Sequence, residues 1–121
     1  MTELNRTVLL LGEAGAEKLK NAHVTVCGLG AVGSYAVEAL ARAGIGHLRL
    51  VDYDTVSASN VNRQLFALHS TVGMKKTRVA ELRVKDINPH CDVTVFDTYI
   101  DEHSNPLIME GRVDVLIDAI D

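Results

Sequence analysis

The segment Gly28-Leu29-Gly30-Ala31-Val32-Gly33 carries three glycines at the spacing of a phosphate-binding turn. The first lets the chain turn tightly, the second lets a phosphate approach the backbone, and the third lets helix and strand pack closely. A helix starting there offers unpaired N–H groups and the positive end of its dipole to an anion. Asp52 follows about twenty residues on, where a carboxylate can accept hydrogen bonds from ribose hydroxyls. Loop and acid together point to a bound nucleotide. Their spacing does not separate NAD from ATP, and NAD is the default choice.

The residues after Asp52 shift that choice. Asp52-Tyr53-Asp54-Thr55-Val56-Ser57-Ala58-Ser59-Asn60-Val61-Asn62-Arg63-Gln64 is polar, where a dehydrogenase would return quickly to a helix. Arg63 and Lys76 lie on either side of a possible turn at Gly73. A triphosphate calls for more positive charge than a pyrophosphate diester. Arginine can hold phosphate through two parallel hydrogen bonds, and lysine acts as a point charge. Adenylyl transfer also builds charge on the α-phosphate and on the departing pyrophosphate, which fixed cations stabilise. Lys76 alone, beside Lys75, reads as a surface charge on a helix; the constellation argues for a phosphate contact.

The elements that must position these groups can be read in order. Residues 4–20 read as two short helical pieces broken near Gly12 to Gly15. His23 to Cys27 is a short β-branched run ending at glycine, which predicts a strand. Ser34 to Ala43 predicts a helix with Tyr35, Ala36, Ala39, Leu40 and Ala43 on its sheet-facing side. Leu48 to Asp52 predicts the second strand, and a short helical piece is expected to run through His69. Lys75 to Ile87 predicts a helix, stopped by Asn88-Pro89 because the residue before proline avoids the helical region. Val93 to Phe96 is the third expected strand. Ser104-Asn105-Pro106 opens a short helix with Ser104 as its cap. Val113 to Ile117 is the fourth strand. Strands alternating with helices predict a Rossmann-like α/β fold, a parallel sheet with helices on both faces. The expected division is a helical arm over residues 1–22 and a nucleotide-binding domain over residues 23–121. The sequence stops one step past a strand, and exposed strand edges invite pairing. The expectation is an incomplete, N-terminal half of the fold.

Bulk properties fit one small domain. The chain has 121 residues, 47% of them hydrophobic, and a net charge of −4. That charge disfavours non-specific nucleic-acid binding and gives no reason to expect DNA as a partner. No apolar stretch is long enough to span a bilayer and no secretory pattern opens the chain, so a cytoplasmic protein without a membrane role is expected. Cys27 ends an apolar run and reads as a buried thiol; Cys91 has no partner in view. The five histidines show no metal-binding spacing. Asp97 and Asp101 read as loop acids without a site role.

From Gly28 to Asp121 the sequence resembles the ThiF/MoeB/HesA family of ATP-dependent adenylating enzymes, relatives of the ubiquitin-activating enzymes. The pieces that carry the likeness are the glycine loop, Asp52-Tyr53-Asp54, Ser59-Asn60-Val61-Asn62-Arg63-Gln64, Gly73-Met74-Lys75-Lys76, Asp86-Ile87-Asn88-Pro89 and Asp118-Ala119-Ile120-Asp121. Within the family, Ala31 to Ser34, Asn62 to Gly73 and the opening Leu10-Leu11-Gly12-Glu13 look most like the tRNA threonylcarbamoyladenosine dehydratases. The resemblance implies that Gly28, Gly30, Ala31 and Gly33 cradle phosphate and that Asp52 holds the ribose. It implies phosphate contacts from Asn60, Arg63 and Lys76, with Asp54 and Gln64 in the same nucleotide-contacting motifs. Asp121 matches an aspartate that organises Mg2+. Arg6, in Asn5-Arg6, matches an arginine that reaches the ATP of the other subunit, which implies a homodimer. Ala31 stands where many members have glycine, and in the family most acceptor contacts lie beyond the position of Asp121.

The function implied is adenylation of a carboxylate by ATP, with threonylcarbamoyladenosine in tRNA as the acceptor. The alternative acceptor is the C-terminal glycine of a ubiquitin-like sulfur carrier protein. An NAD-dependent oxidoreductase and a non-enzymatic nucleotide-sensing or dimerisation module are the rivals from other classes. The first predicts NAD binding and indifference to Arg63; the second predicts ATP binding without pyrophosphate chemistry.

Overall fold

Period-two alternation of β-branched and aliphatic residues builds the sheet in this computed structural model, which describes residues 5–121. Residues 1–4, including the first residue of the expected arm helix, lie outside the described residues. The elements run α1 (Asn5–Asn21), β1 (His23–Cys27), α2 (Ala31–Ala43), β2 (His47–Asp52), α3 (Lys76–Ile87), β3 (Asp92–Asp97), α4 (Asn105–Ile108) and β4 (Val115–Asp118), with one 3-10 turn at Ala58–Asn60. All strand pairs are parallel and the sheet order is β3-β2-β1-β4. The chain therefore steps outward from β1 to β3 and crosses back to the other side of β1. That reversal opens a crevice at the carboxyl ends of β1 and β4, where open α/β sheets bind ligands.

The two faces of the sheet are covered unequally. On one, Val24, Val26, Leu48 and Leu50 pack with Val37 and Ala41 of α2 and Val79, Ala80 and Val84 of α3. On the other, Cys27 and Val51 meet Ile108 of α4, with Phe96 and Ile100 alongside. Helices thus occupy both faces, as the strand–helix alternation implies. Glu38 of α2 fastens α3 by accepting from Arg83 Nε at 2.6 Å and Nη2 at 3.0 Å. The Arg83 hydrogen bond, with Arg42 beside it, holds the Glu38 carboxyl below its usual range. Both cysteines are buried, and burial pushes the Cys91 thiol up to about 11.

Several expectations are corrected by the structure. α2 begins at Ala31, not Ser34, so Gly33 lies inside its first turn. Its buried residues are Gly33, Ser34, Val37 and Ala41, while Tyr35 and Ala39 are exposed. Alanine fits either side of a helix, so the bulkier Val37 decides which side turns inward. The short helix through His69 is absent; that stretch is a series of turns. The Thr71 hydroxyl organises it, donating to Phe66 O at 2.7 Å and accepting from the Leu68 N–H at 2.9 Å. The side chain of Ser104 does not cap α4: its hydroxyl accepts from the Asp101 N–H at 3.0 Å and donates to Tyr99 O. Asp101 shapes that turn instead, accepting from the N–H groups of His103 and Ser104, each at 2.9 Å. β4 runs Val115–Asp118, two residues later at its start than expected; just before it, the Asp114 carboxylate accepts from His23 N at 2.8 Å. The break in α1 does fall at Gly12, whose φ of 76° is outside the helical range.

Candidate nucleotide-binding site

The glycine loop is shaped by the strands around it. Gly28 N donates to Val51 O at 2.8 Å, and Ala119 N donates to Cys27 O at 2.7 Å. The chain after β4 is thereby laid directly against the loop. Gly28 has φ 96°, and a Cβ there would stand 2.5 Å from Ala119 O. Glycine is thus required both by conformation and by space. A Cβ on Gly33 would stand 1.6 Å from Gly28 O, so this glycine serves the close approach of α2 to the turn before it. Gly30 is the N-cap of α2 and no side chain caps it. The first N–H groups of a helix have no intrahelical partner, and they face an anion favourably.

Asp52 closes the other side. Its Oδ2 accepts from Leu29 N at 2.7 Å and its Oδ1 from Asp54 N at 2.8 Å. The carboxylate is therefore fixed against the loop, and each oxygen keeps a further lone pair for a hydroxyl donor. The 3-10 turn after it is held by Asn60, which is buried and whose Oδ1 accepts from Ser57 N at 2.9 Å. Gln64 N and Arg63 N both donate to Asn60 O, at 2.9 and 3.2 Å. Arg63 is exposed, with Nη1 donating to Ser59 O at 3.0 Å and Asn62 Oδ1 at 2.8 Å. Those two bonds orient the guanidinium and leave other donors free.

Lys76 lies in the same crevice as Arg63, Asp52 and the glycine loop. It is not a surface charge: only 5% of the residue is exposed. Its Nζ lies 3.6 Å from Asp54 Oδ2.

One crevice of about 490 Å³ gathers these groups, within the usual range for a ligand pocket. Gly28, Gly30 and Ala31 line it with Asp52 and Asp54. Asn60, Arg63, Gln64, Lys76 and Asp121 line it too. Gly33 supports the loop without lining the crevice. Arg6, exposed on α1, is not brought there by this chain. Sequence reasoning gave no site role to Thr98, Tyr99 and Ile100, which come after β3 and form one wall. Tyr99 stacks on Tyr53 with ring centroids 3.8 Å apart. The signal available for them was topological: residues just past the carboxyl end of a parallel strand lie on the ligand side of the sheet.

No three His, Cys, Asp or Glu side chains gather to hold a metal among the described residues. Mg2+ usually keeps several waters and takes only one or two protein carboxylates beside substrate phosphates. Asp121 on the crevice wall fits that modest demand.

Sheet order, glycine loop and crevice define a Rossmann-like α/β domain with its site at the topological switch point. The chain belongs to the ThiF family, whose model matches residues 4–121. It is 45% identical over 119 residues to a tRNA threonylcarbamoyladenosine dehydratase of Bacillus subtilis, covering 98% of this chain and 47% of that protein. It is 40% identical over 118 residues to a molybdopterin-synthase adenylyltransferase of Salmonella typhimurium, covering 96% and 47%. The solved structure of the Escherichia coli tRNA N6-threonylcarbamoyladenosine dehydratase TcdA in complex with ATP superposes with a TM-score of 0.95 at 42% identity, covering 98% of this chain and 49% of that one. The chain thus spans about half the length of the relatives it matches. None of its described helices is long and apolar enough to cross a membrane.

Proposed function

We propose that the crevice binds ATP and serves to adenylate a carboxylate. The observation that carries the reading is the presence of two cations, Arg63 and Lys76, in the same crevice as the glycine loop and Asp52. Asp52 would take the ribose hydroxyls, and the open N-terminus of α2 the phosphates. Arg63, Lys76 and Asn60 would meet the charge that develops as pyrophosphate departs. Asp121 would hold Mg2+, which supplies further charge neutralisation when bound.

A carboxylate oxygen attacks the α-phosphorus, and the bond from that phosphorus to the bridging oxygen breaks. Pyrophosphate leaves with the electron pair, giving an acyl-adenylate. The acceptor we favour is the threonyl carboxylate of threonylcarbamoyladenosine in tRNA. A neighbouring nucleophile of the same group then closes a ring on the activated carbonyl and expels AMP. The net change in the tRNA is loss of water. Support comes from the 45% identity to a dehydratase of that substrate. The second reading keeps the adenylation and makes the acceptor a ubiquitin-like sulfur carrier, supported by the 40% identity to an adenylyltransferase of molybdopterin synthase. Either reaction would take place in the cytoplasm.

We further infer a homodimer. Leu9 and Leu10 of α1 are 77% and 82% exposed, an unusual position for adjacent leucines. Arg6 stands on the same helix, and a second copy would bring it to a crevice it does not reach in its own chain. Sedimentation as a monomer at high concentration would remove that role.

The test is ATP–pyrophosphate exchange by the whole protein. Exchange that depends on tRNA bearing threonylcarbamoyladenosine is the expected result. Exchange only with a glycine-tailed carrier protein would move the assignment to carrier activation. Silence with both acceptors would contradict adenylation.

A further inference from the structure

Lys76 occupies a position hostile to a cation. It is the first residue of α3, at the positive end of the helix dipole, and its side chain is 6% exposed. An ammonium taken out of water needs a counter-charge in good geometry. Among the described residues its ion-pair partner is Asp54, whose own side chain is half exposed on the crevice wall.

The backbone makes that pairing rigid. Lys76 N donates to Asp54 O at 3.1 Å, and Thr55 and Lys75 form an antiparallel bridge. Asp54 N donates to Asp52 Oδ1, and Asp52 Oδ2 accepts from Leu29 N. One connected path thus runs from the glycine loop through both aspartates to the lysine ammonium. A carboxylate facing a polyphosphate would repel it, so a direct phosphate contact is a poor assignment for Asp54.

We propose that Asp54 is a positioning residue that holds the buried Lys76 ammonium in place and aimed into the crevice before the triphosphate arrives. The proposal rests on the ATP-adenylation reading. It departs from the sequence expectation that Asp54 touches the nucleotide itself. A cation held in advance costs no reorganisation when charge develops on the leaving pyrophosphate. A misplaced one forfeits much of its effect, since a shift of about 1 Å in an active-site group can cost on the order of 100-fold.

The experiment uses the whole protein and compares Asp54→Asn with Asp54→Glu. Kinetics of pyrophosphate exchange and direct binding of AMP are measured for each. Asp54→Asn is expected to lower kcat roughly 10- to 100-fold. AMP affinity should stay within about twofold, because the ribose and loop contacts of a monophosphate do not involve Lys76. Asp54→Glu should restore most of kcat. In a Lys76→Met background, which removes the ammonium, adding Asp54→Asn should change kcat no further. That double variant also covers the case in which the lone Asp54→Asn protein does not fold, because it leaves no buried charge unpaired.

Unchanged kcat in Asp54→Asn, with the wild type active, would overturn the positioning role and leave the adenylation reading intact. Equal losses of AMP and ATP affinity would overturn it as well, as would a defect relieved by raising Mg2+. A wild type silent in exchange with every acceptor would take both ideas down together.

Discussion

Lys76→Met is expected to give a folded protein whose pyrophosphate exchange is lower by on the order of 10²–10³-fold. The magnitude comes from where the ammonium sits. Developing charge is stabilised more by a cation already fixed and desolvated than by one free in bulk water. Lys76 is fixed, with 5% of the residue exposed and Asp54 3.6 Å away. Methionine keeps most of the side-chain volume, so the fold is spared. Removing a buried ammonium still leaves Asp54 without its partner, but Asp54 is half exposed and water can take over. Arg63→Ala should cost less in folding and a comparable amount in exchange. Its guanidinium is exposed and bonds only Ser59 and Asn62 among the described residues. Steady-state exchange at saturating ATP, with thermal melting as the folding control, measures both. Near-wild-type exchange in either folded variant would remove that cation from the chemistry.

Gly33→Ala is expected to be among the most damaging single methyl additions at the site. Its Cβ would stand 1.6 Å from Gly28 O and 2.6 Å from Gly28 C, both backbone atoms of the loop. No rotamer change relieves a clash between two backbone segments. α2 must move away from the turn, and the packing of Val37 and Ala41 moves with it. A cost of about 3 kcal/mol or more is expected from overpacking with a backbone shift, enough to threaten a small domain. Gly30→Ala is the matched control. There the nearest atom is Gln64 Nε2 at 3.4 Å, the end of a flexible side chain. That variant should melt close to wild type and fail, if at all, in nucleotide affinity. Chemical denaturation of the two variants side by side measures the difference. A Gly33→Ala protein as stable as Gly30→Ala would mean that the loop and α2 do not approach as described.

Much of this geometry could be read from residue order, for identifiable reasons. The loop from Gly28 to Gly33, the acid at Asp52 and the strand spacing are local signals tied to backbone demands, and they survive any packing. The burial of Lys76 was not legible. Beside Lys75 at a helix start it has the pattern of a solvated charge; the bridge from Thr55 to Lys75 and the bond from Lys76 N to Asp54 O bring it against the segment after β2. The inward side of α2 was misassigned because alanines carry little directional information; Val37, buried with Gly33, Ser34 and Ala41, settled it through packing. The wall formed by Thr98, Tyr99 and Ile100 is set by strand order, which no local pattern encodes. Arg6 marks another boundary, since the role proposed for it would need a second copy of the chain.

The most direct test of the central claim is to measure binding of ATP and of NAD to the same protein by titration calorimetry, with Arg63→Ala alongside. The crevice should bind ATP in preference to NAD, and Arg63→Ala should weaken ATP by roughly tenfold or more, the scale of a charge-assisted phosphate contact. Binding of NAD at least as tight as ATP, indifferent to Arg63, would contradict the claim and return the fold to the dinucleotide-dependent enzymes.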